Sequence, residues 1–120
     1  MTRQEWTNVI TRCCEQAGTY KAFFDPVIDT LAGILEQRDE AEADFDAEGR
    51  RLMVEHTNKA GATNIEQNPL RRMINDLNRD ALAYWRDLGL TPAGLKRVNE
   101  QALRRAKRSP LAEAMKGLGG

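Results

Sequence analysis

Six apolar residues, Leu70, Ile74, Leu77, Ala81, Tyr84 and Leu88, recur at intervals of 4-3-4-3-4, with Met73 and Trp85 widening the stripe. Alternating intervals of three and four put all six on one side of an α-helix. A stripe this long must pack lengthwise on other helices, in a bundle or across an oligomer seam. Asn68-Pro69 gives the start signal. An asparagine cap accepts a free N–H of the first turn, and proline at the first helical position has no N–H to lose. Gly89 supplies the stop.

The remaining segments read as companions of that helix. Trp6, Ile10, Cys13 and Ala17 recur at 4-3-4 beside Val9, which predicts a first helix from about Arg3 to Ala17 with Cys13 in the core and Cys14 flanking it. Gly18-Thr19 suits its end. Asp25-Pro26 repeats the cap-then-proline signal, with Asp25 as N-cap and Val27, Ile28, Leu31, Ile34 and Leu35 forming the buried face. Past Leu35 the pattern stops: residues 36–48 carry seven acids against Arg38, interrupted only by Phe45 and alanines. Glu and Ala propagate helix without packing, so a solvated rod is expected there.

Between Leu52 and Gln67, β-branched residues flank Asn58-Lys59-Ala60-Gly61, which predicts a short hairpin, with an irregular loop as the alternative. Thr91-Pro92 then caps a last helix whose apolar side is Leu95, Val98 and Ala102, and Ser109-Pro110 stops or kinks it. The tail from about residue 109 is expected to fray. The fold class is therefore mainly α, a bundle of about four helices with a short β-hairpin between the second and third. At 120 residues the expectation is a single domain over residues 1–120.

Charge excludes little in total and more in distribution. Lys+Arg and Asp+Glu are equal at 18. Residues 1–68 hold 7 basic and 13 acidic side chains, net −6, and residues 69–120 hold 11 and 5, net +6. Such polarity orients a molecule against a polyanion, or pairs one subunit's acidic end with another's basic end. The two cysteines are adjacent and have no third partner, so a disulfide framework is excluded and a reducing compartment is expected. No leader pattern and no run of ~20 apolar residues is present, so the expected setting is the cytoplasm, without a membrane.

Catalytic groups are sparse. His56 is the single histidine, and a Ser/His/Asp site would have to join it to Ser109. No two-histidine or cysteine-pair metal spacing occurs, and Gly117-Leu-Gly-Gly is a tail rather than a phosphate loop. The acids Asp39, Glu40, Glu42, Asp44, Asp46 and Glu48 alternate around a helix and read as solvated surface rather than as a cation site. The expectation is a non-enzyme with no cofactor and no metal. The basic segment carries more: Lys96, Arg97, Arg104, Arg105, Lys107 and Arg108 stand against one Glu100. These six are the candidate DNA-binding residues, because cations on one helix neutralise phosphates. The alternative is a solvated helix end, its cations favoured by the dipole. Helix 69–88, the Gly89-Leu90-Thr91 turn and helix 92–107 outline a helix-turn-helix-like corner, although ordinary αα-corners are commoner.

Asn68-Pro69, a roughly twenty-residue amphipathic helix, Leu88-Gly89-Leu90-Thr91-Pro92 and a basic helix together resemble one large group of phage terminase small subunits. The Gly61 turn between two extended stretches and an N-terminal helix pair beginning near Trp6 match as well, so the likeness spans most of residues 6–105. The group often shows arginines three and five residues past the proline; here those places hold Leu95 and Arg97, so only Arg97 carries over. The resemblance implies a homo-oligomer that recognises double-stranded viral DNA and regulates a separate large subunit bearing ATPase and nuclease. It implies action in the cytoplasm of the host, or of the bacterium that carries a prophage. A helical protein–protein adaptor without nucleic-acid affinity, docking through residues 36–48 and the 69–88 stripe, is the competing expectation.

Overall fold

Thr2 opens the first helix, α1 (Arg3–Ala17), by accepting the Glu5 N–H on its hydroxyl. Its end is a Schellman cap: the Thr19 N–H reaches the Cys14 carbonyl at 2.9 Å, the Gly18 N–H reaches that of Glu15 at 3.1 Å, and Gly18 takes φ 74°. The computed structural model, which describes residues 1–107, continues through a 3-10 turn (Ala22–Phe24) into α2 (Asp25–Ala47). A hairpin of β1 (Met53–Thr57) and β2 (Thr63–Gln67) leads to α3 (Pro69–Asp87) and α4 (Pro92–Lys107). The architecture is mainly helical with a two-stranded antiparallel hairpin between α2 and α3, as the sequence patterns indicate. The fraying expected from residue 109 lies outside the described residues.

Three local expectations need correction. Cys14, not Cys13, is the core thiol: Trp6, Ile10 and Cys14 run at 4-4 toward α2, leaving Cys13 at the margin. Burial pushes the Cys14 thiol up, against the hydrogen bond with Thr19. Asp25 is the first helical residue rather than the cap, a role that falls to Phe24; the Asp25 carboxylate accepts the Tyr20 hydroxyl at 2.9 Å. Residues 36–48 are helical but not wholly solvated, since Ala41 and Phe45 are buried.

Packing explains that last correction. The N-terminal half of α2 lies between α1 and the far end of α3, where Ile10, Cys14, Ile28, Leu31, Ala32, Leu35, Ala81 and Leu88 form one core. The C-terminal half of α2 meets only the start of α3, where Ala41, Phe45 and Ile74 form a second core with Leu70 against it. Burial of each large side chain there contributes about 1.5–3 kcal/mol. Arg50 covers Phe45 with its guanidinium 4.7 Å from the ring and ties to Glu42 and Asp46 at 3.0 and 2.6 Å. The seam residues of α3 are thus occupied within the chain: Ile74, Ala81 and Leu88 are buried, and Leu70, Leu77 and Tyr84 half-buried. The molecule is long, 82 × 26 × 21 Å, with a radius of gyration of 21.9 Å, against about 14 Å for a compact chain of this length.

A polar clamp orders α1 on α2. Arg3 makes a two-bond pair with Asp29 at 3.0 and 2.9 Å, and the Trp6 indole donates to Asp39 at 2.7 Å. Burial alone would raise the Asp39 carboxyl, but hydrogen bonds led by Trp6 outweigh it and hold the group below the ordinary carboxylate range. A carboxyl with a depressed folded pKa stabilises fully above its unfolded value and loses that contribution as the pH falls through the folded value. Asp39→Asn is therefore expected to cost about 1 kcal/mol at neutral pH. Melting curves of both proteins should converge as the pH drops below about 4. A constant gap down to strongly acid pH would place the stabilisation elsewhere.

Asn68 ties the hairpin to the helices. The residue is 2% exposed; its Oδ1 accepts the Leu70 N–H at 3.0 Å, its Nδ2 donates to the Arg51 carbonyl at 2.9 Å, and its own N–H donates to the Leu52 carbonyl at 2.9 Å. Asn68→Ala removes the cap and the Nδ2 bond to the Arg51 carbonyl, at a cost of about 1–2 kcal/mol. Asn68→Ser keeps a capping acceptor and loses the Nδ2 donor to the Arg51 carbonyl and to Glu48, so its melting temperature should fall between the two. Equal melting of Ser and Ala variants would assign the whole effect to the Nδ2 bonds.

Candidate nucleic-acid interface

The basic helix is aimed by the corner that precedes it. Leu88 ends α3, and a second Schellman cap follows: the Leu90 N–H reaches the Trp85 carbonyl at 2.8 Å and the Gly89 N–H that of Arg86 at 3.0 Å, with Gly89 at φ 74°. A side chain at Gly89 would also press on Thr19 and Val98, so the corner is seated against the loop after α1. The Thr91 hydroxyl then accepts the Gly94 N–H at 3.0 Å, and Pro92 opens the helix. At Gly94, which is buried, a Cβ would run into the Arg86 carbonyl oxygen. The first turn of α4 therefore lies directly on the last turn of α3.

Beyond that turn α4 leaves the body. Leu95 and Val98 are half-buried, whereas Ala102, expected on the apolar side, is exposed. Lys96, Arg97, Arg104 and Arg105 are all exposed, and none is ion-paired with another described residue. At about 100° per residue, Lys96, Arg97 and Arg104 share an arc of roughly 100° around Glu100, and Arg105 stands about 80° further round. Lys107 is the last residue of α4, and Arg108 lies outside the described residues.

Elsewhere several cations are neutralised by neighbouring acids, Arg3 by Asp29, Arg38 by Asp39, Arg50 by Asp46 and Glu42, and Arg79 by Asp76. Arg71 and Arg72 carry no ion pair either, but they belong to the first turn of α3, at the opposite end of that helix from α4. The arrangement on α4 is a one-sided set of unneutralised charges on a stiff projecting rod. Its chemistry is electrostatic: it attracts a polyanion and positions it, without reading it through aromatic stacking.

Among the described residues neither His56 nor Cys14 joins a cluster of reactive side chains, and Ser109 lies outside them. His56 is exposed on β1, paired in register with Asn64, and Cys14 is sealed in the core. Among the described residues no group of three or more His, Cys, Asp or Glu side chains is placed to hold a metal, and no helix is long and apolar enough to cross a membrane. The residue that sequence reasoning passed over is Gly94. Its signal was available: a glycine inside the first turn of a helix has no conformational reason to be there, which points to a close backbone neighbour.

A family model described as phage terminase, small subunit, matches residues 2–104. No curated protein matches the chain, and no solved structure matches it.

Proposed function

The chain belongs to the phage terminase small-subunit family, and on that premise we propose that it recognises double-stranded viral DNA as a homo-oligomer and regulates the large subunit. A role in phage DNA packaging follows from the family; the small subunits are generally non-catalytic, which leaves ATP hydrolysis and cleavage to the large subunit. The observation that carries the DNA reading is the set of exposed, unpaired cations Lys96, Arg97, Arg104 and Arg105 on α4. Lys107 and Arg108 extend the same basic sequence. Seated by its first turn and free beyond it, α4 presents these charges as a unit. One domain over residues 1–120, working in the cytoplasm, completes the proposal.

The elongated shape and the exposed hairpin favour self-association. A two-stranded hairpin is marginal alone, and here Leu52, Met53 and Ile65 are 52%, 53% and 70% exposed. Size-exclusion chromatography with light scattering, run with and without a duplex fragment at low and high salt, tests the reading. A defined oligomer that takes up DNA only at low salt is the expected result. A monomer indifferent to duplex DNA would overturn it and favour a protein–protein adaptor.

A further inference from the structure

The outward side of α4 is not purely basic. Pro92, Leu95, Asn99 and Leu103 line an open apolar groove along it, with Lys96 and Glu100 on its rim, and Leu103 is 57% exposed. An apolar strip with Lys96 on its rim and Arg97 and Arg104 on the same side of the helix carries three cations against Glu100, and calls for an amphipathic, acidic surface. The chain holds one. On α2, Glu40 and Asp44 are exposed and take part in none of the ion pairs, and the exposed Ala43 and Ala47 lie beside them. Small residues there admit the Leu95 and Leu103 side chains close to the helix backbone.

The two surfaces cannot meet within one molecule. The acidic stretch sits where Ala41 and Phe45 pack on Ile74, while α4 departs beyond Leu88, about 20 Å further along α3 at 1.5 Å per residue. The 82 Å length is more than twice the roughly 35 Å of α2, so the hairpin and α4 project from opposite ends. We propose that the occupant is a second copy of this chain, which lays the Glu40–Asp44 side of its α2 on the outer face of α4. Such a contact joins two different surfaces, so it propagates head to tail and closes into a ring or continues as a filament. The inference deepens the self-association reading above by naming the surfaces that carry it.

Charge reversal tests it in the full chain by light scattering, without DNA because Lys96 and Arg104 also belong to the phosphate-facing arc. One variant carries Glu40→Lys and Asp44→Lys, the other Lys96→Glu and Arg104→Glu. Each alone puts like charges together and is expected to self-associate at least about tenfold more weakly. An equimolar mixture restores assembly, because each variant's altered surface then faces the other's altered surface, of opposite charge, and the unaltered surfaces face each other; all four changes in one chain restore it too. Matching circular dichroism and melting of the variants show that folding is intact. Variants that assemble like the unsubstituted protein, or a mixture that fails to assemble, overturn the assigned surfaces and leave self-association standing. An unsubstituted chain that is monomeric at every concentration overturns both readings.

Discussion

Gly94→Ala is expected to destabilise the chain by about 2 kcal/mol and to detach α4 from α3, although alanine is the better helix former by roughly 1 kcal/mol. The sign is decided by what the new methyl meets. At Gly94 it meets the carbonyl oxygen, carbon and Cα of Arg86, which are backbone atoms of a packed helix and cannot swing aside. Relief requires α4 to move outward as a body, which costs ~1–3 kcal/mol of overpacking and lengthens the Thr91 cap. Gly33 supplies the opposite case in the same protein. Its added methyl meets only the Arg3 guanidinium, at 3.0 Å from Cζ, and the most it can disturb is the exposed pair with Asp29, which is worth less than about 1 kcal/mol. Gly33→Ala should therefore be neutral or stabilise by up to about 1 kcal/mol. Thermal melts rank the two variants, and hydrogen exchange of the α4 amides reads the detachment directly. Unchanged protection of those amides in Gly94→Ala would show that the corner tolerates a side chain and is not the element that aims α4.

Much of this fold is legible because caps and periods agree. Asn68-Pro69 and Gly89 bracket a helix whose 4-3 stripe leaves no other reading, and Gly61 between β-branched stretches places the hairpin turn, where Asn58 accepts the Ala60 and Ala62 N–H groups. Other features escape because one chain segment cannot show what another brings to it. Phe45 sits among acids and reads as an interruption, yet Ile74 and Leu70 arrive from α3 to cover it, and Arg50 closes the other side. Cys13 and Cys14 satisfy nearly the same helical period, so only the direction from which α2 approaches chooses between them. At the site, the cations of α4 were visible as composition. That no acid of the helical body pairs with them was not, because it depends on α4 leaving the body where α2 carries its acids toward the other end.

That lack of pairing with the body sets the size of the last effect. Replacing Lys96, Arg97, Arg104 and Arg105 together by glutamine is expected to remove most duplex-DNA binding while leaving the fold intact, since exposed substitutions of this kind shift stability by only about 0.5 kcal/mol. If each cation displaces one phosphate counterion, four of them contribute about −3.6 to the slope of log affinity against log salt. Raising the salt from about 50 to about 200 mM then weakens binding roughly 100-fold through these contacts alone. The glutamine variant should show both a lower affinity at low salt and a slope shallower by about that amount. Single substitutions divide the effect: Lys96, Arg97 and Arg104 share an arc and should each lower the slope by about 1, while Arg105, further round the helix, should lower it less. Arg71→Gln with Arg72→Gln, at the far end of α3, is the informative comparison. If that pair lowers the slope and the α4 variant does not, DNA is held at the hairpin end of the molecule. The cations of α4 would then be free to serve the contact between copies alone.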